Sequence, residues 1–366
     1  TSGQADAVQR RHAEAFLALA QEAAPRLTGT EQRMWLDRLE RDHDNLRAAL
    51  DWAIEREPTV AARMAFALWR FWQQRGYLNE ARGRLDAMAA KGWDLPPTDR
   101  ARFAEAFGGV AYWQSDQAAT VRWYDEALSI WRMLGDEREI ANALFNRAYA
   151  DMMVAMGGTA TADRLQVARQ MFAEALEIYQ ALGDQGGEGN ILWGLGSYHY
   201  FTADAATAEE WFRRSLDLHR AAGERSMEAW SLHMIALSEI GQRKFEAATA
   251  TAAHALRHFY EAGDVSGVTL VLDDFAQIAV AQGDQVRGGR LWGAARHLQA
   301  TTGTAIADYI EQNGDLFGVP TPNKVLDPEA LARTSAEGAR MGLDEVVAYA
   351  LDVGETALAD GHAAST

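Results

Sequence analysis

The chain has 366 residues, 48% of them hydrophobic, which is enough to bury a sizeable core in about two domains or in one repeat array. Its 35 basic and 52 acidic residues leave a net charge of −17, a balance that disfavours direct binding to nucleic acid. The absence of cysteine excludes disulfides, thiolate metal sites and cysteine nucleophiles, and no apolar run reaches the ~18 residues of a membrane span. We therefore expect a cytoplasmic, helical protein.

The first part of the chain, residues 1–57, is predicted to form helices that lead into a repeat array over residues 58–303. All seven prolines lie before Thr98 or after Val319. Because proline removes a helical hydrogen bond and clashes with the preceding turn, the proline-free stretch favours continuous helices.

Glycines interrupt this stretch at regular intervals and are predicted to end helices. The stops are Gly135, Gly183, Gly223, Gly263 and Gly303. The first interval is 48 residues and each later one is 40 residues. Glycine adopts the left-handed conformation that ends a helix, and an acidic residue after it can cap the next helix. The extra residues of the first interval are placed in an insertion at Gly157–Thr161.

A small residue lies eight positions before each stop, and in most units an aromatic ring lies three positions before that. The small residues are Ala127, Ala175, Ser215, Ala255 and Ala295. This shared register predicts an all-α fold, a right-handed α-solenoid of antiparallel helix pairs with a period of ~40 residues.

The register lapses over residues 304–366, which are predicted to form an irregular connection and a helical C-terminal cap. The connection carries the helix-breaking residues Gly314, Gly318, Pro320, Pro322 and Pro328. One or two helices should follow, including an amphipathic helix over Leu343–Leu351 that covers the last apolar face.

The repeat pattern resembles that of the tetratricopeptide repeats. That family places a large apolar residue, a Leu-Gly pair and an aromatic before an alanine that has an aromatic four residues later. The matching residues are Leu192, Leu195, Gly196, His199, Ala208 and Phe212. The period is longer than the usual ~34 residues, which longer helices would explain. A HEAT-type array also fits the period, but it does not fit the Leu-Gly placement.

Three further segments resemble the C-terminal sensor region of large bacterial signalling ATPases of the STAND class, including LuxR-type regulators. They are the runs Trp35–Ala53, Gly283–Ala295 and Leu343–Ala348. The resemblance implies that the repeats bind an effector or a protein and regulate an attached NTPase module. Because the sequence begins at Thr1 with no leader, we expect it to be part of a longer protein.

The ATPase itself is not expected within these residues. A phosphate-binding loop needs Gly-Lys followed by Ser or Thr, and the three lysines, Lys91, Lys244 and Lys324, all lie in other contexts. No segment offers a basic recognition helix for DNA either.

Candidate binding residues follow from the tetratricopeptide resemblance, which places one stripe of each first helix in a concave groove. We call these residues the first-helix stripe. They are Arg102, Glu105, Tyr112, Asn142, Phe145, Tyr149, Asn190, Trp193, Tyr200, Trp230, His233, Asp273 and Gln277. Aromatic rings combined with amides and hydroxyls suit a peptide, a protein partner or a small effector. The alternative interpretation is that many of these rings only pack between neighbouring units.

No catalytic or metal constellation emerges, so we expect a non-catalytic protein without a cofactor or metal. His254 and His258 share a helix face, but no third ligand is evident. Asp273 and Asp274 point about 100° apart on a helix, so one is expected to be solvated and the other to face the groove. Two alternatives remain open, namely a purely structural or self-associating module, and an enzyme that uses acids and histidines of the groove.

Overall fold

The computed structural model describes residues 2–156, 161–306 and 317–352. The chain divides between Gly187 and Glu188 into two compact units, which we call unit 1 and unit 2. Two sequence features, most of the Gly157–Thr161 insertion and Gly314, lie outside the described residues. The predicted boundaries after residues 57 and 303 stay a prediction.

Unit 1 contains nine helices within its described residues. They are α1 (Ser2–Ala23), α2 (Gln32–Arg41), α3 (His43–Arg56), α4 (Pro58–Arg75), α5 (Leu78–Ala90), α6 (Pro97–Trp113), α7 (Gln117–Leu134), α8 (Glu137–Met156) and α9 (Thr161–Leu182). A short 3-10 turn at Ala24–Arg26 follows α1.

The boundary between the units lies within α10 (Gln185–Phe201). The remaining helices of unit 2 are α11 (Ala205–Ala222), α12 (Arg225–Gly241), α13 (Phe245–Ala262), α14 (Val265–Ala281), α15 (Gln285–Thr302), α16 (Pro322–Val325), α17 (Pro328–Gly338) and α18 (Leu343–Leu351).

Consecutive helices pack against each other in pairs, and the described ranges contain no strand. In unit 2 the second helices of successive pairs are α11, α13 and α15, and they begin 40 residues apart, at Ala205, Phe245 and Gln285. The predicted all-α fold of repeated helix pairs is therefore confirmed. None of the described helices is both long and apolar enough to cross a bilayer.

The predicted glycine stops end helices in the left-handed conformation. Gly135, Gly223 and Gly263 have φ values of 73°, 72° and 72°. The acidic residue after a stop caps the next helix at Asp264, whose Oδ1 accepts from the amide of Gly267 at 3.1 Å. Such caps satisfy amide groups that the first turn of a helix leaves without a partner.

One stop lacks the expected cap, because its acidic residue is used elsewhere. Glu224 makes no side-chain cap for α12. Its Oε2 instead lies 3.0 Å from Nδ1 of the buried His219. The longer glutamate side chain thus ties the end of one helix to the start of the next.

Small residues let paired helices approach closely beneath aromatic rings. At Gly196, a Cβ would lie 2.7 Å from the ring of Phe212, which is fully buried. At Gly108, a Cβ would overlap the ring of Tyr124 in the same way. Burying a large side chain of this kind contributes roughly 2–3 kcal/mol, which one helix pair could not gain alone.

The C-terminal cap packs closely onto α15. Asp327 caps α17 by accepting from the amides of Glu329 and Ala330, both at 3.0 Å. Glycines bring the helices together, because a Cβ at Gly338 would overlap the carbonyl oxygen of Arg290. Helix α18 covers the apolar cluster of unit 2 with Val346, Val347 and Ala350.

Candidate functional site

In unit 1, the acidic stripe residue Glu105 is buried and has a partner. Its Oε1 accepts from the indole N–H of Trp131 on α7 at 2.7 Å. Burial raises the pKa of Glu105 to about 8, although the Trp131 hydrogen bond opposes the shift. A carboxyl group in such a place is close to neutral at physiological pH, and its role is one of packing.

Three aromatic stripe residues of unit 1 contact one another. The ring of Tyr149 lies 5.7 Å from that of Tyr112 and 6.3 Å from that of Phe145. Burial raises the pKa of the Tyr112 hydroxyl well above its ordinary value, with a contribution from its hydrogen bond to Tyr149. The guanidinium of Arg102 lies 5.5 Å from the ring of Phe66. The three rings form a half-buried cluster centred on Tyr149.

The stripe amide of unit 1 is also engaged. Asn142 Oδ1 accepts from the Tyr179 hydroxyl at 2.6 Å, and its Nδ2 donates to Glu139 Oε2 at 3.0 Å. Both its polar ends therefore have protein partners.

In unit 2, the first stripe residues pack against the apolar core. The ring of Trp193 lies 6.3 Å from that of Phe212, and the ring of Trp230 lies 4.7 Å from that of Phe259. Asn190 Oδ1 is buried and has no hydrogen-bond partner among the described residues.

The other stripe residues of unit 2 line a cavity of about 90 Å³. Three successive first helices contribute to it, with Tyr200 from α10, His233 from α12, and Asp273 and Gln277 from α14. The structure thus brings together four of the predicted residues, which are separated by up to 77 positions in the chain.

A buried hydrogen bond orients the histidine of this cavity. His233 Nδ1 lies 2.7 Å from Asp274 Oδ2, and both side chains are almost inaccessible to solvent. Burial raises the pKa of Asp274, and the neighbouring His233 opposes the shift. With Nδ1 engaged by the carboxyl group, Nε2 is the ring nitrogen left for a ligand.

Contrary to the sequence-based expectation, neither aspartate of the adjacent pair is solvated. Asp274 is 2% exposed and contacts His233. Asp273 is half-buried and forms an ion pair with Arg296 of α15. Both carboxyl groups line the cavity, because partners on two different helices draw them to it.

The cavity also has a wall that the sequence analysis did not predict. Phe317, Val319, Thr321, Pro322 and Lys324 all line it, although they belong to the irregular connection. The Phe317 ring lies 5.0 Å from that of Tyr200. Helix α15 adds Trp292 and Arg296. The connection carries no repeat signal, and the repeat signal of α15 marks packing positions rather than a site.

In the described parts of the chain, no three His, Asp or Glu residues cluster in a way that could hold a metal ion. His254 is exposed, whereas His258 is half-buried and burial lowers its pKa. Such a pair on one helix is a surface feature and offers no chelating set.

Comparison with known proteins agrees with the observed architecture. Residues 150–221 match the family model for tetratricopeptide repeat. These residues are similar to tetratricopeptide repeats. No curated protein matches it.

Several solved structures are similar to this repeat protein at low sequence identity. A Rap protein complexed with Competence and Sporulation Factor is 13% identical, with 98% of this chain and 99% of that chain covered and a TM-score of 0.57. BtubC from P. vanneervenii is 16% identical over 61% of this chain and 89% of its own, with a TM-score of 0.41. The apo form of RapI is 13% identical over 91% and 98%, also with a TM-score of 0.41.

Tetratricopeptide domains generally act as scaffolds that bind proteins or peptides, and the first structure shares the fold of this chain.

Proposed function

We propose that this chain is a non-catalytic sensor scaffold that anchors a peptide, or a peptide segment of a partner protein, in the cavity of unit 2. One observation carries the proposal, namely the convergence of stripe residues from α10, α12 and α14 on a single cavity. Residues 150–221, which match the repeat family, extend into this unit.

The size of the cavity favours one anchoring side chain. A cavity of about 90 Å³ is smaller than the roughly 150 Å³ that holds a benzene molecule. A folded partner therefore cannot enter it, whereas one side chain of a bound segment can. The rest of such a segment would lie along the neighbouring helix faces.

The polar groups of the cavity favour directed hydrogen bonds over a strong net charge. The charge of Asp273 is balanced by its ion pair with Arg296, and the carboxyl group of Asp274 is engaged by His233. Gln277 adds an amide that can both donate and accept. A bound group would exchange hydrogen bonds with these side chains and pack against Tyr200 and the aliphatic lining.

We further propose that ligand binding regulates an attached signalling ATPase of the STAND class. The motivating observations are the three sequence segments described above and the absence of a phosphate-binding loop around the lysines of this chain. Any ATP hydrolysis would then belong to another part of a longer protein.

The binding proposal is tested with peptides selected from a displayed random library against the chain. For a selected peptide, Gln277→Ala should raise the Kd measured by fluorescence anisotropy by at least about tenfold, since a site loses about 1.4 kcal/mol of binding free energy for each tenfold change. Gln285→Ala, an exposed glutamine at the start of α15, is the matched control and should leave the Kd unchanged.

Selection of no binder, or equal effects of the two substitutions, would refute the binding site. Turnover of a selected peptide into fragments would refute the non-catalytic assignment and favour an enzyme that uses the His233–Asp274 pair.

A further inference from the structure

A segment of the chain itself lies on the predicted binding surface of unit 2. We call residues 317–322 the strap. Its aromatic end is held at α12, where a Cβ at Gly241 would lie 3.0 Å from Phe317 Cγ. The Phe317 ring also contacts Tyr200 of α10 at 5.0 Å. The strap thus spans the cavity edge between two first helices.

Two further anchors follow along the strap. Val319 packs on the apolar cluster formed by Ile240, Ala248 and Ile278. The Gly318 carbonyl oxygen accepts a hydrogen bond from Arg243 Nη2 at 3.3 Å. Apolar side chains inserted between helices, together with a backbone contact to a surface side chain, are the means by which helical scaffolds hold a peptide.

Beyond Gly318, which adopts the left-handed conformation with a φ of 59°, the sequence of the strap favours an extended, stiff backbone. It reads Phe-Gly-Val-Pro-Thr-Pro. A residue before proline is pushed to extended φ and ψ values, and Thr321 shows them at −104° and 154°. Proline-containing segments lose little conformational entropy on docking, because they are already extended when free.

The docked strap is also distinct from the helical cap that follows it. Residues 328–338 form α17, which packs on α15 through close glycine contacts. Residues 317–321 of the strap are not helical, and the strap contacts the first-helix stripe. Its position is that of a ligand, whereas the position of α17 is that of a structural element.

We propose that the surface beneath the strap recognises extended, proline-containing peptides with an aromatic anchor, and that the strap occupies this surface in cis. This inference rests on the proposed peptide-binding function and names its ligand class. The aromatic ring takes the place next to Tyr200 and Gly241, and a β-branched residue followed by proline takes the place of Val319 and Pro320.

Because the strap occupies the site in cis, a peptide in trans binds only at concentrations high enough to displace the strap. A segment tethered to its own site acts at an effective concentration in the millimolar range for a short flexible connection. A peptide in trans must compete with it, so its apparent Kd equals the intrinsic Kd divided by the fraction of sites that the strap leaves open. A partner then binds at the expense of the strap contacts, and the displacement couples binding to the C-terminal cap.

The test uses a fluorescein-labelled peptide with the sequence of residues 317–324 and the whole chain. Phe317→Ala removes the aromatic anchor of the strap and should lower the Kd of the labelled peptide by at least about tenfold relative to the wild type. Arg243→Ala removes only the exposed contact to Gly318 and should lower it by about two- to fivefold. Adding Tyr200→Ala to Phe317→Ala should abolish the gain.

Trp211→Ala is the matched control, because this half-buried ring of unit 2 stacks on His199 outside the cavity lining. It should leave the peptide affinity unchanged. Circular dichroism and thermal unfolding establish that each variant is folded. The exposed Arg243 position provides a variant that does not disturb the core if Phe317→Ala fails to fold.

The inference is overturned if neither Phe317→Ala nor Arg243→Ala raises peptide affinity. If library-selected peptides still bind through Gln277 in that case, the proposed function stands and only the strap inference fails. If no peptide binds any variant, both fail.

Discussion

The first-helix stripe has different surroundings in the two units, although it lies at equivalent repeat positions. In unit 1 its polar groups meet partners from second helices, Trp131 for Glu105 and Tyr179 for Asn142. These two partners both lie four residues before a glycine stop. The corresponding residues in unit 2 are His219, Phe259 and Gln299, of which Phe259 has no polar group and packs on Trp230.

This difference teaches that the second helix decides whether a stripe position is structural or available. A tryptophan or tyrosine before the stop satisfies the polar stripe residue and closes the position. Where that ring is a phenylalanine, the stripe residues further along the helix remain around an accessible cavity. Three substitution experiments test this difference between the units.

The largest effect is expected at the buried pair of unit 2. Asp274→Ala should lower the free energy of unfolding by about 3 kcal/mol, because it leaves His233 buried without its partner. Urea unfolding followed by circular dichroism measures the change. Asp217→Ala, an exposed aspartate on α11, should stay within about 0.5 kcal/mol of the wild type. Equal losses for both variants would show that the buried His233–Asp274 pair contributes no more to stability than an exposed aspartate does.

A smaller, pH-dependent effect is expected at Glu105 of unit 1. Its folded pKa of about 8 lies above the ordinary 4.5, so the folded state holds more protons than the unfolded state between these values. Stability from this group is complete below about pH 4.5 and is lost as the pH rises through about 8.

Glu105→Gln keeps the acceptor for Trp131 and removes the titration. The free energy of unfolding of the variant should therefore rise relative to that of the wild type as the pH rises, by an amount on the order of a few kcal/mol at pH 8.5. Unfolding curves recorded between pH 5 and pH 8.5 measure this gain. A constant difference between the two proteins over that range would contradict the assignment of Glu105 as a buried neutral carboxyl.

The smallest effect separates two amides of the stripe, Asn142 and Gln277. Asn142→Ala should cost about 1 kcal/mol of stability, because the Tyr179 hydroxyl loses its acceptor, and it should leave peptide affinity unchanged. Gln277→Ala should leave stability unchanged and raise the peptide Kd. Denaturant midpoints and peptide Kd values measured on both variants give the comparison, and it breaks if both amides affect the same quantity.

Much of the fold could be predicted from the sequence, because helix ends depend on local chemistry. The glycines before Asp136 and Asp264 marked turns that the structure contains. Some turns inside the helix pairs lack a glycine. They use Ala203 and Arg243 in the left-handed conformation, with φ values of 62° and 59°, and neither residue type signals such a turn.

The candidate site could be predicted only in part. Helical periodicity placed Tyr200, His233 and Gln277 on one stripe, and the cavity contains all three. It could not place Arg296, which lies on a second helix, or Phe317, which has no periodic neighbours. Long-range packing and an extended segment create that part of the wall, and neither leaves a regular spacing in the sequence.

The glycine contacts between α15 and α17 are positions at which a substitution can disturb the packing of the C-terminal cap. At Gly293 a Cβ would strike the backbone of Ser335, and at Gly338 it would strike that of Arg290. A single methyl group at either position would force the two helices apart, because the backbone that it meets cannot rotate aside as a side chain can. It would separate α17 from α15 without replacing any polar side chain of the cavity.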